Sequence, residues 1–387
     1  WGLCIGLVAS FLFAINAYEI RYAQFFRSYS LTILLTTLST WLLIKSVENY
    51  KKSIWMILYV LVAAAAVYSH FIAILLIGSQ LITLPLLISK KAIKEKFPTR
   101  IYFYFLGMIC LILPILLVAL NKGPQQISWI PAPTFIDVKD FFTRITGNYG
   151  SVLRRLSIFL GLLGFFSWLF KPKSEIVSRW KYFLLGSCFL TPVFASLVIS
   201  KFLLPLFNDR YLIFTTPFLD ILVSIGLVTI LRLGWDNKKF RIISLIASVS
   251  LLILLSFLQV NGIKKYFDTN ITHDWRSATS FLSSNCGDSL RIYYPLTNEI
   301  VVTFYNPDLF MHDTEWTAII SDDTGKINNN HLQEDYDQVC LVLGHLRFGD
   351  RQLRADKLSE EIRKEFPYEK TYKFRGIDVL IFNQDET

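Results

Sequence analysis

Charge is scarce in this sequence. Only 18% of its 387 residues are Asp, Glu, Lys or Arg, against 53% hydrophobic residues. At a mean hydropathy of +0.44, there is too little polar surface to cover an ordinary soluble protein of this length. Acids are rarest where hydrophobes are densest. Residues 1–261 hold nine Asp and Glu against 25 Lys and Arg, a net of +16, whereas residues 262–387 hold 21 against 14, a net of −7. The overall +9 therefore averages a basic apolar part and an acidic polar part. No nucleic-acid surface is implied by it.

Common catalytic signatures are missing as well. No G-x-S-x-G, H-E-x-x-H, Walker loop or G-x-G-x-x-G occurs, and there is neither a fixed-period repeat nor a low-complexity segment. A signal peptide's charged n-region and small-residue cleavage site are not visible. The chain opens at Trp1 inside an apolar run, which reads as a fragment whose upstream part is missing. Cysteine is sparse, with five in all. Cys4, Cys110 and Cys188 sit in apolar runs, where a thiol serves as a small hydrophobe. Cys286 and Cys340 fall in the polar part, and their pairing in an oxidising compartment stays open.

What is present is a series of apolar runs of bilayer length: roughly 1–17, 29–45, 54–69, 71–89, 101–120, 153–170, 182–200, 211–231 and 242–261. The breaks carry the orientation. Lys45, Lys51 and Lys52; Lys90, Lys91, Lys94, Lys96 and Arg100; Lys171, Lys173, Arg179 and Lys181; and Arg232, Lys238, Lys239 and Arg241 fill alternate breaks, 16 cations on one face. That excess marks the cytoplasmic face. After nine crossings, residue 262 onward falls outside the cytoplasm. Trp41, Trp55, Trp129, Trp168, Trp180 and Trp235 cluster near run ends, as interfacial indoles do. The expected fold class is a polytopic α-helical membrane protein of about nine spans over residues 1–261, followed by a small extracytoplasmic α/β domain over 262–387. In that domain 274–285 and 354–366 read as helices, and 289–295, 338–344 and a hairpin over 368–382 turning at Arg375-Gly376 as strands. Residues 320–335 read as a polar loop. His312-Asp313 and His345 are isolated and read as surface or loop residues in preference to a metal site, which needs several convergent ligands.

Polar groups on the non-cytoplasmic side gather at three places: residues 19–29, Tyr68-Ser69-His70 at a tight turn, and Asn208-Asp209-Arg210-Tyr211. Short connections allow all three to converge on one rim of the bundle. Arg21, Arg27 and Arg210 suit a phosphate or diphosphate, since guanidinium donates bidentately; the plainer role is snorkelling to headgroups. Asp220 lies about nine residues into its run, near mid-bilayer, and needs a partner, a proton or an inward position. Either a structural contact or a proton relay fits it. The loop 121–152, with Trp129-Ile130-Pro131-Ala132-Pro133 and an amphipathic stretch at 135–145, reads as an interfacial segment.

At these residues a resemblance emerges. Y-A-Q-F-F-R-S-Y-S-L (22–31) resembles a segment of bacterial GT-C glycosyltransferases of the protein-mannosyltransferase-like group (family 39), usually Y-A-Q-E-A-R-x-Y-S-L. V-Y-S-H-F (67–71), R-Y-L-I-F-T-T-P (210–217) and D-W-R-S-A (274–278) resemble later features of that group in the same order. The resemblance covers most of residues 1–290. It implies a GT-C-like helix bundle in the plasma (inner) membrane that moves a sugar from a polyprenyl-phosphate donor to a cell-envelope glycan, lipid or protein acceptor outside the cytoplasm. Gln24, Arg27 and Tyr29 match its first motif, His70 the turn, and Arg210 and Tyr211 the last. Arg27 and Arg210 are then expected to hold the donor phosphate, with Glu19, Arg21 and Asp209 as further site candidates. Phe25 stands where the group usually has Glu; Glu19 or Asp209 is the substitute to consider. The group's catalytic Asp sits in the first external loop, which is expected upstream of Trp1, so no general base is assigned, and direct displacement predicts inversion. No cofactor follows, and a divalent metal stays open. The rival readings are a transporter or flippase of a lipid-linked saccharide, and a non-catalytic membrane assembly subunit.

Overall fold

In an apolar phase a backbone finds no solvent partners, so runs of Leu, Ile, Val and Phe close their hydrogen bonds within helices. A computed structural model of the chain has that form. It describes all residues except 1, 26, 50, 89–99, 128–129, 131, 148–149, 171–175, 234–237, 270–273, 288, 295–296, 310–319, 322–325, 328–335, 345–350 and 386–387. Lys90 to Lys96, Trp129, Pro131, Lys171, Lys173, Trp235, His312-Asp313, His345 and most of the 320–335 loop thus lie outside the described residues. The chain divides into two units, residues 1–268 and 269–387.

The first unit is helical: α1 (Leu3–Ala14), α2 (Ala17–Ala23), α3 (Tyr29–Glu48), α4 (Ser53–Ser69), α5 (Ala73–Thr83), α6 (Pro85–Ile88), α7 (Arg100–Ile127), α8 (Phe135–Ile145), α9 (Gly150–Phe166), α10 (Ile176–Phe202), α11 (Thr216–Leu233) and α12 (Lys238–Thr269). Six described helices are long and apolar enough to cross a membrane, or seven if α1 and α2, bent 65° at their junction, count as one. Every expected run is helical, but α4 and α5 are shorter apolar helices of 17 and 11 residues. Eleven residues rise only about 16 Å, roughly half the hydrocarbon thickness. Pro85, which brings no backbone N–H, opens the next helix at that point.

The eleventh helix is the hub. The window Asp209–Arg232 is 72% buried, against 11% for Phe103–Asn121, and α11 packs on α9, α1 and α10. Small residues permit its closest approach. A Cβ on Gly164 would fall 1.9 Å from the Leu222 carbonyl oxygen, and one on Gly226 2.1 Å from that of Leu160. The backbones of α9 and α11 therefore touch, as at small-residue crossings in membranes. Polar groups inside the bundle are mostly satisfied. Thr36, Ser39 and Thr40 on α3 donate to carbonyls three or four residues back. Gln80 of α5 donates to Ser39 and Thr40 at 3.0 and 2.8 Å and accepts from Tyr59 at 3.0 Å. Trp180 is buried within the bundle, its indole donating to the Thr83 carbonyl at 3.1 Å. Trp41, by contrast, is exposed and packs edge-on against Trp55.

Contacts also sort the breaks by end. Glu48 pairs with Lys45 at 3.2 Å and with Lys181 at 2.5 Å, so two of the cationic breaks share one end of the bundle. The opposite end holds the polar clusters considered below.

The second unit carries α13 (Trp275–Asn285), β1 (Leu290–Tyr294), α14 (Thr297–Tyr305), β2 (Ile320–Ser321), β3 (Lys326–Ile327), β4 (Gln338–Gly344), α15 (Arg351–Glu365), β5 (Tyr368–Phe374) and β6 (Ile377–Asn383). Its four-stranded sheet runs β1-β4-β6-β5, with β1 parallel to β4 and the other pairs antiparallel. The β5–β6 hairpin turns on Arg375-Gly376, where Gly376 takes φ 72°. β2 and β3 form a separate two-residue pair. Cys286 and Cys340 form a disulfide, joining the end of α13 to the central strand β4. The whole is a helical membrane protein with a small α/β domain.

Candidate functional site

Asn16 builds the site from below. It is fully buried between α1 and α2, caps α2 by accepting from the Tyr18 N–H at 3.0 Å, and donates to the Ile145 carbonyl at 2.9 Å. One side chain thereby sets the bend and ties it to α8. That helix starts with a capping box, in which Asp137 accepts from the Thr134 N–H at 2.7 Å. The Thr134 hydrogen bonds hold the Asp137 carboxyl below the usual range. Phe141 and Ile145 face inward while Phe135 and Ile136 are 84% and 67% exposed, as an interfacial helix requires.

On this frame an aromatic chain runs along the rim. Tyr18 meets Tyr22 edge-on at 4.9 Å, and Tyr22 meets Tyr29 at 5.2 Å. Tyr29 lies 6.1 Å from the His70 ring, which lies 5.1 Å from Tyr211. Arg210 sits over Tyr211 at 5.3 Å and Arg21 over Tyr22 at 5.5 Å. Tyr29 is within electrostatic reach of both Arg27 and Arg210. Asp209 accepts from Arg144 at 2.7 Å. Asn208 caps the 3₁₀ turn Asp209–Thr215 through the Arg210 N–H at 3.2 Å, and that turn runs directly into α11. His70 closes α4, with no described partner for its buried Nδ1. Burial, and then the Arg210 charge, lower its pKa to about 4, so the ring is neutral near pH 7.

The three polar clusters of the sequence thus meet: Arg21, Tyr29, His70, Asp209, Arg210 and Tyr211 share one rim, and Arg27 stands exposed beside Tyr29. Two candidates do other work. Gln24 accepts from Tyr266 Oη at 2.8 Å and pins the end of α12. Glu19 is buried, 6% exposed, and lines an apolar cavity between α1, α2, α3 and α11. Asp220 is 5% exposed, with no described partner for Oδ2. Sequence reasoning missed Asn16 and Arg144. Asn16-x-x-Glu19 is a readable helix-start signal, but it hides inside an apolar run; Arg144 lies 65 residues from its acid.

No group of three or more potential metal ligands occurs among the described residues. Comparison of the chain with protein-family models, with curated proteins and with solved structures found no match.

Proposed function

We propose that this protein is a membrane glycosyltransferase that moves a sugar from a polyprenyl-phosphate donor to an acceptor on the extracytoplasmic side. The observation that carries the reading is the meeting of Arg210, Arg27 and Arg21 with Tyr29, His70 and Tyr211 at one end of a helical bundle. Transfer forms a bond from an acceptor hydroxyl oxygen to the anomeric carbon and breaks the bond to phosphate oxygen; the hydroxyl proton goes to a base. Phosphate leaves with increased negative charge, and guanidinium groups placed before the reaction stabilise that charge most effectively. Arg144 neutralises Asp209, leaving the rim's net charge positive. The Cys286–Cys340 disulfide supports an oxidising location for the second unit.

The test is activity of the intact protein with polyprenyl-phosphate sugars, product read by mass. Arg210→Ala and Arg27→Ala should each lower turnover at least about a hundredfold, the range for removal of one preorganised charge donor. Wild-type turnover in both would end the phosphate role. A transporter of lipid-linked saccharide is favoured by one observation, the 65° break between α1 and α2. Transporters carry such breaks in matched halves, and this bend has no counterpart among the described helices.

A further inference from the structure

We propose that the apolar cavity walled by α1, α2, α3 and α11 binds a membrane amphiphile whose polar end, a hydroxyl or an ammonium, donates a hydrogen bond to Glu19. This proposal is independent of the transferase reading. The cavity holds about 480 Å³, within the size range of small-molecule sites. Its walls are apolar, with Phe13, Ile33, Leu34 and Ile221 prominent. Two groups break that pattern. Glu19 is only 6% exposed; the Thr216 hydroxyl lies within side-chain reach of its carboxyl, yet Oε1 is left without a hydrogen-bond partner of good geometry. Thr37 also lines the cavity with a buried, unpartnered hydroxyl, although its neighbours Thr36, Ser39 and Thr40 all bond back to their own helix. Buried acceptors left empty cost free energy, so a built cavity edged by two of them specifies a ligand that supplies a donor.

The two acids narrow the class further. Asp220 lies behind Glu19 within electrostatic reach, itself 5% exposed. No ion pair to either acid occurs among the described residues. An anionic head, phosphate or carboxylate, brings no donor to an empty acceptor, whereas a hydroxyl or an ammonium does. The cavity is therefore no extension of a phosphate site. Ser30, Leu34 and Thr37 lie along one face of α3 at helical spacing, a track on which an extended chain can lie.

The experiment uses the intact protein in lipid nanodiscs with three long-chain diazirine probes that differ only in head group: alcohol, amine and carboxylate. Crosslinked peptides are mapped by mass spectrometry. The alcohol or the amine should label the cavity walls about tenfold more than the carboxylate, the factor expected for one satisfied buried hydrogen bond. Glu19→Leu should remove that preference. Glu19→Gln separates the heads, because it keeps an acceptor for the alcohol but cannot form the ion pair that an ammonium would complete. Equal labelling by all three probes, labelling unchanged in Glu19→Leu, or no cavity labelling because polypeptide fills the space would each overturn the proposal. If Glu19→Leu fails to fold, the head-group preference of wild type and Glu19→Gln still decides.

Discussion

At the scale of single residues, Asn16 and His70 carry the clearest consequences. Asn16 meets two backbone groups from a fully buried position. Asn16→Ala leaves the Ile145 carbonyl and the Tyr18 N–H unmatched, which costs about 1–3 kcal/mol. Thermal unfolding in detergent should register it; Asn16→Asp keeps the cap but sets a buried carboxyl against the Ile145 carbonyl oxygen, so it should also destabilise unless that carboxyl is protonated. For His70 the sign follows from its depressed pKa of about 4. Between an unfolded value near 6.5 and about 4, the unfolded chain binds more protons than the folded one, so stability rises with pH across that window and falls on acidification. His70→Gln should flatten the loss of melting temperature between pH 6.5 and 4.5; an unchanged slope would assign it to other groups. The identities of His70, Arg210 and Tyr211 as rim residues were legible in the sequence because each closes or opens an apolar run. Arg144 was not: a cation in a polar loop is indistinguishable from a solvated one until its partner is seen.

At the scale of elements, the crossing of α9 and α11 is the tightest constraint. A methyl group on Gly226 would overlap the Leu160 carbonyl, so even Gly226→Ala forces the helices apart. Overpacking of this kind costs about 1–3 kcal/mol, and because α11 follows directly from the Arg210 turn, the rim should loosen with it. The expected measurement is a lower melting temperature together with faster proteolysis near residue 209; a neutral Gly226→Ala would mean the pair is not in contact. Helix positions were legible from hydrophobic length alone, since every expected run is helical. Their lengths were not. The end of α5 at Thr83 depends on Pro85, whereas hydrophobic length alone carries the run 71–89 straight through it. The α1–α2 bend was also hidden, since Asn16 is one polar residue among apolar ones. Gln80 shows the converse, a polar residue inside a helix whose three partners lie on two other helices.

At the scale of the whole molecule, the gathering of cations in alternate breaks predicts sidedness. A cysteine placed at the exposed Lys373 should react with an impermeant maleimide in intact cells; protection until lysis would place the second unit in the cytoplasm. The same compartment decides whether Cys286 and Cys340 stay joined. The bond spans 54 residues, and by chain entropy its removal destabilises the second unit by roughly 4 kcal/mol. Non-reducing electrophoresis and the melting temperature of the Cys286→Ser, Cys340→Ser double variant would show both.

The strand order of that unit has a consequence in time. β6, residues 377–383, is the last described strand to be synthesised, yet it sits between β4 and β5 in the middle of the sheet. Until it has left the ribosome, β1 and β4 form a two-stranded fragment and β5 has nothing to pair with. The helices can insert one after another as they emerge, whereas the sheet of the α/β unit waits for β6. A chain stopped at residue 376 should therefore place its helices in the membrane normally and carry a second unit open to any protease on that side. Quality control of this protein would rest on β6.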